Sequence, residues 1–132
     1  MSRQAEIVKA YSEALSKCNY QELMNVFSPD AVMHTPHYGK LQPAVHYKKL
    51  LDKAKSVNMV LKNVCVGIDD ANVVVGHYIS NWFMKDGSST GDIEWLCLFK
   101  LNSKHDKIVS LSQFYNNPTA ETVFNKWSSS LT

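Results

Sequence analysis

Between Ile7 and Pro36 the chain reads IVKAYSEALSKCNYQELMNVFSPDAVMHTP, and this stretch narrows the possible folds more than any other. Ile7, Val8, Tyr11, Ala14 and Leu15 recur at helical spacing and form one apolar stripe. Lys17-Cys18-Asn19 interrupts it. A second short stripe, Leu23, Met24, Val26 and Phe27, stops at Ser28-Pro29, because proline disfavours helical geometry in the residue before it. Asp30 then opens a strand through Ala31-Val32-Met33, which Pro36 ends. The pattern predicts a helix, a tight break, a second short helix and a strand.

After Pro36, His37-Tyr38-Gly39-Lys40 reads as a turn-like link. A helix is expected from about Pro43 to Lys55, since proline is tolerated in a first turn whose N–H groups have no helical partner. Its inward stripe is Val45, Tyr47, Leu50, Leu51 and Ala54. Four strands follow. Val57–Ile68 ends at the turn signal Asp69-Asp70-Ala71-Asn72. Val73–Lys85 is rich in β-branched and aromatic residues. Asp86-Gly87-Ser88-Ser89 marks a hairpin, Asp92–Leu101 returns, and Ile108–Tyr115 is the last strand. The tail from Pro118, with Phe124 and Trp127, is expected to form a short helix or cover an edge. Helices first and strands afterwards argue for an α+β fold.

The 132 residues suit a single domain, residues 1–132, large enough to bury a core. Charged residues make up 20 % and the net charge is +2, with no run of five like charges. Nucleic acid is therefore not an expected partner. Lys48, Lys49, Lys53 and Lys55 read as a solvated helix face. Cys18, Cys65 and Cys97 have no metal or redox spacing and read as reduced thiols. The opening MSRQAEIVKA lacks the apolar run of a signal peptide, and no stretch is long enough to span a membrane. A cytoplasmic protein is the expectation.

The order helix, short helix ending in Phe27, Asp30-Ala31-Val32 and a strand closing on Pro36 resembles the opening of the NTF2-like superfamily. That superfamily holds the ketosteroid-isomerase-like and SnoaL-like (polyketide-cyclase-like) domains. The resemblance covers almost the whole chain. It implies a cone, or cystatin-like α+β barrel, in which a curved antiparallel sheet wraps the helices around one apolar pocket. It also implies a homodimer formed through the sheet. In ketosteroid isomerases a helical tyrosine and a protonated aspartate hold the substrate oxygen while another aspartate moves the proton. Tyr11 matches the tyrosine. The base position falls on Thr35, beside His34, and the second oxyanion aspartate falls on Cys97, a weak donor. Unchanged steroid isomerase chemistry is therefore not expected.

The resemblance sets Thr35 and Cys97 inward, and alternation along the strands then carries their neighbours. Met33 and Thr35 point inward, with His34 opposite unless a bulge turns it. Trp95, Cys97 and Phe99 form one inward set, and Leu111, Gln113 and Tyr115 another. On the long strand Tyr78, Ser80 and Trp82 compete with His77, Ile79, Asn81 and Phe83. Apolar walls with sparse polar groups are typical of small-molecule sites. His34 and His37 flank Pro36 with no third ligand at a metal spacing, so neither a metal nor a cofactor is expected. Three functions fit. The first is an isomerase, cyclase or dehydratase of a hydrophobic carbonyl compound, with Tyr11 steadying an enolate and His34 shuttling the proton. The others are a binder of a small hydrophobic molecule without turnover, and a dimeric adaptor.

Overall fold

The computed structural model describes residues 2–36, 38–115, 117–118 and 120–123. Helix α1 (Arg3–Ser16) starts where the Ser2 hydroxyl oxygen accepts the Ala5 amide proton at 3.1 Å. It buries the stripe expected of it: Ile7, Val8, Tyr11, Ala14 and Leu15. Cys18, at φ +51°, breaks the helix in the left-handed region. The Asn19 side chain then caps α2 (Tyr20–Asn25) by accepting the Glu22 amide proton at 3.1 Å.

Strand β1 (Phe27–Thr35) begins earlier than expected. Phe27 is its first residue rather than the end of a helix. Pro29 lies where pairing with the neighbouring strand lapses between Phe27 and Val32, so its missing N–H leaves no gap in the ladder. The supposed turn after Pro36 contains a second strand, β2 (Gly39–Leu41), antiparallel to β1. Its brevity hid it from any periodicity.

Helix α3 (Pro43–Lys53) buries Pro43, His46, Tyr47, Leu50 and Leu51. Val45, expected inside, is 48 % exposed, and His46 is buried in its place. The reason is helical phase: His46 lies four residues before Leu50 and one before Tyr47, whereas Val45 points sideways.

The remaining strands are β3 (Ala54–Val66), β4 (Val73–Met84), β5 (Ile93–Leu101) and β6 (Ile108–Tyr115). Together with β1 and β2 they form one curved, unclosed six-stranded sheet in the order β2-β1-β6-β5-β4-β3. All neighbours are antiparallel except β1 and β6, which run parallel. The β4–β5 hairpin turns at Gly87, φ +90°, whose amide donates to the Met84 carbonyl at 3.0 Å.

On β4 the buried positions are Val74, Gly76, Tyr78, Ser80, Trp82 and Met84, which settles the face that alternation alone left open. Gly76 is required there by close approach: a Cβ would lie 2.7 Å from Tyr78 Cε2 and 3.1 Å from Phe99 Cε2. Across β5, Ile93, Trp95, Cys97, Phe99 and Leu101 are buried. The core lies between this face and the helices, where Tyr11 meets Phe27, Tyr47, Tyr78 and Phe99 edge-on at centroid separations of 6.1, 6.3, 6.2 and 5.3 Å. At the C-terminal end Ala120 is buried in a helical turn. Phe124, Trp127 and His37 lie outside the described residues. Among the described residues no helix is long and apolar enough to cross a membrane.

Candidate ligand cavity

Between α1, α3 and the inner sheet face lies a cavity of about 30 Å³. That is room for about two waters. Its apolar walls are Leu15, Leu50, Met59, Trp82 and Trp95. Its polar side consists of Tyr11, Tyr38, His46, Tyr47, Gln113 and Tyr115. Among the described residues no Asp, Glu, Lys or Arg lines it.

Tyr11 and Tyr47, from α1 and α3, meet hydroxyl to hydroxyl at 2.5 Å, and Gln113 Nε2 donates to Tyr11 Oη at 3.3 Å. The pair owns two O–H hydrogens and uses one internally. The Gln113 amide also hydrogen-bonds Tyr47 as a donor, and among the described residues no protein acceptor takes the other hydrogen. One phenolic O–H is thus left for whatever occupies the cavity. Burial, with Tyr47 close by, pushes Tyr11 well above the usual phenol range. Burial likewise raises Tyr47, although its hydrogen bond with Tyr11 opposes this. Both are held as neutral donors. Tyr38, half-buried, is pushed up to about 12 by the same cause. Trp82 adds a second idle donor, since its enclosed indole Nε1 has no partner among the described residues.

His46 is 7 % exposed, with its ring 4.9 Å from that of Tyr47 and 5.5 Å from that of Tyr38, centroid to centroid. Its imidazole lines the cavity, and among the described residues nothing hydrogen-bonds either ring nitrogen. Burial lowers its pKa to about 4, so the ring is neutral at pH 7 and offers a free acceptor.

The structure brings together much of the residue set expected from sequence. Tyr11, Thr35, Trp82, Trp95, Cys97, Gln113 and Tyr115 all line the cavity. Met33, Tyr78, Ser80 and Phe99 are buried in the wall behind it. Tyr78 Oη donates to the Val8 carbonyl at 3.1 Å, and Ser80 Oγ accepts from Trp95 Nε1 at 2.7 Å, so both are engaged by the scaffold.

Thr35 is occupied too: its Oγ1 accepts the Tyr38 amide proton at 2.9 Å and shapes the turn into β2. Cys97 is deeply buried, and burial pushes its thiol up, away from thiolate chemistry. His34 is exposed on the opposite face of β1. The bulge that could have turned it inward lies earlier, between Phe27 and Val32. It does not line the cavity itself but an adjoining, more open pocket that shares Thr35, Pro36, Gln113 and Tyr115 with it. The polar lining residues not expected from the sequence are Tyr38, His46 and Tyr47, and only Tyr47 lies on the expected inward stripe of α3. The phase of Tyr47, Leu50 and Leu51 was the signal that could have found His46.

No family model matches the chain, and no curated protein matches it. Solved structures do. BvnE pinacolase from Penicillium brevicompactum superposes with a TM-score of 0.79 at 13 % identity, over 98 % of this chain and 97 % of that one. The epoxide hydrolase/cyclase-like enzyme SalBIII, of pyran ring formation in the polyether salinomycin, gives 0.73 at 14 % identity, over 86 % and 91 %. A protein of ketosteroid isomerase-like fold from Catenulispora acidiphila, in complex with trimethylamine, gives 0.71 at 15 % identity, over 84 % and 85 %. NTF2-like and SnoaL-like proteins of two Burkholderia species also match. The chain therefore has the NTF2-like fold that SnoaL-like and ketosteroid-isomerase-like proteins share.

Proposed function

We propose that the protein binds a small hydrophobic carbonyl compound in this cavity and acts on it as an isomerase, cyclase or dehydratase of the SnoaL-like kind. The observation that carries this reading is the spare O–H of the Tyr11–Tyr47 pair, buried in an apolar cavity with no protein acceptor among the described residues. A buried donor without a partner is costly. A ligand carbonyl oxygen supplies the missing acceptor, and the same donor stabilises the charge that develops there on enolisation. BvnE, a pinacolase, and SalBIII, an epoxide hydrolase/cyclase-like enzyme, support only the compatibility of this fold with enzymatic work on small molecules.

The resting cavity is small, so entry requires lining side chains to swing. Met59 and Tyr38 are the half-buried candidates, and methionine adapts readily. We also propose that two copies pair through the outer sheet face. There Leu96 and Phe114, directly opposite on β5 and β6, are 50 % and 57 % exposed.

Titration with cyclohex-2-en-1-one and substituted phenols, followed by tryptophan fluorescence and thermal shift, tests the cavity. Saturable quenching of Trp82 and Trp95 and a raised Tm, both weakened in Tyr11→Phe, are expected. No response across the panel from a folded protein sinks the reading and leaves the adaptor role.

A further inference from the structure

We propose that His46 is the proton-transfer group of this cavity, taking a proton from the carbon next to the ligand carbonyl while the Tyr11–Tyr47 pair holds the oxygen. The proposal deepens the carbonyl reading above and rests on it. Three observations carry it. His46 is buried on the cavity wall beside Tyr47, and among the described residues its nitrogens have no hydrogen-bond partner and no carboxylate lines the cavity to act instead. An imidazole on the cavity's polar side whose nitrogens find no protein partner leaves its lone pair open to a ligand proton.

The donors and the acceptor are also complementary in kind. The tyrosine hydroxyls, phenolic and neutral, can only steady negative charge at oxygen. The imidazole, kept neutral by burial, has one ring N–H and one lone-pair nitrogen, and the lone pair can receive a proton. The other titratable groups around the cavity are Tyr38 from the β1–β2 connection, Tyr11 from α1, Tyr47 from α3, Cys97 from β5 and Tyr115 from β6. None is charged at neutral pH.

The ligand class follows: an enolisable ketone, such as a β,γ-unsaturated one. The α-carbon C–H bond breaks and its proton passes to a His46 ring nitrogen. The electron pair becomes the enolate double bond, while the carbonyl π pair moves to the oxygen under the tyrosine O–H. Return of the proton from the imidazolium to the γ-carbon shifts the double bond into conjugation. No oxidant or reductant is needed. The imidazole is a weak base at rest, but an enolate formed beside it favours the imidazolium and raises its affinity for the proton.

The test uses cyclohex-3-en-1-one in D2O, with α-proton exchange and isomerisation followed by NMR. The wild-type protein should exchange the α-protons faster than buffer, and the rate should fall on acidification as His46 takes up a proton. In His46→Gln the rate should fall at least about a hundredfold, the usual scale of a general base, with Tm and enone affinity retained. An unchanged rate in His46→Gln, or a bound enone that the wild type does not exchange, overturns the proposal and leaves the binding cavity standing. An enone that does not bind at all removes the carbonyl reading and this proposal together. A readout without substitution is the His46 imidazole resonance of the wild type: it should move when the enone binds, and an unmoved resonance overturns the assignment.

Discussion

Acid should weaken this protein through His46 in a calculable way. Burial depresses its folded pKa to about 4, against 6.5 for an exposed histidine. Above pH 6.5 neither state binds the proton and His46 contributes no pH dependence. Between pH 6.5 and 4 the unfolded chain is protonated and the folded one is not, so stability falls as the pH falls. Below about 4 both states are protonated and the loss levels off. The gap, at roughly 1.4 kcal/mol per pH unit, amounts to about 3 kcal/mol. Since small domains hold roughly 5–15 kcal/mol in all, the effect is large enough to read. At 7 % exposure, solvent screening removes little of it.

The assay is urea unfolding by tryptophan fluorescence at several pH values from 7 to 4, on the wild type and His46→Phe, without ligand. The wild type should lose about 3 kcal/mol more than the variant over that range. Asp106, whose carboxyl is held below its usual range first by its hydrogen bond with Asn102, also favours folding less as the pH falls. It is present in both proteins and cancels in the difference. Parallel stability curves for the two proteins would refute the reasoning, because they would mean that His46 is solvated or partnered in the folded state.

Other perturbations separate the scaffold from the site. Tyr11→Phe removes the hydroxyl that Tyr47 and Gln113 both bond, while leaving those two bonded to each other, and should cost about 0.5–1.5 kcal/mol in urea unfolding; an unchanged stability means the pair is not formed. Gly76→Ala forces a methyl into the Tyr78 and Phe99 rings and should destabilise by about 1–3 kcal/mol; a neutral result means that those rings can move. Met59→Ala should widen the cavity, so that bulkier phenols gain affinity over small ones in the fluorescence titration. Phe114→Asp should convert a dimer into a monomer by light scattering if the outer sheet face is the interface, and a dimer that survives it must use another surface.

How far the sequence could be read depended on how many constraints acted on each residue. The inner set on β5 was legible because the family register puts Cys97 inward and alternation carries Trp95 and Phe99 with it, whereas on β6 an irregularity opposite Lys100 and Leu101 buries both Ile108 and Leu111. On β4 both faces carry large apolar residues, so period two alone could not choose. The close packing of Gly76 under Tyr78 and Phe99, which marks the buried face, exists only in three dimensions. The Tyr11–Tyr47 pair spans two helices 36 residues apart, a distance over which no local pattern operates. On α3 Val45 is the more hydrophobic residue, yet helical phase puts His46 on the buried face.

The same contrast bears on where the chemistry sits. In the ketosteroid isomerases that the sequence resembles, proton transfer and part of the oxyanion support come from strand aspartates. Here the matching strand positions hold Thr35, whose hydroxyl is taken up by the Tyr38 amide, and Cys97, whose thiol burial keeps protonated. Neither can move a proton near neutral pH. The groups that can hold an oxygen or accept a proton come mostly from helices instead: Tyr11 from α1, with Tyr47 and His46 from α3. If the cavity is catalytic, its polarity has moved from the sheet to α3. Substitutions in α3 should then alter turnover more than substitutions at Thr35 or Cys97, the reverse of what the family resemblance alone would predict.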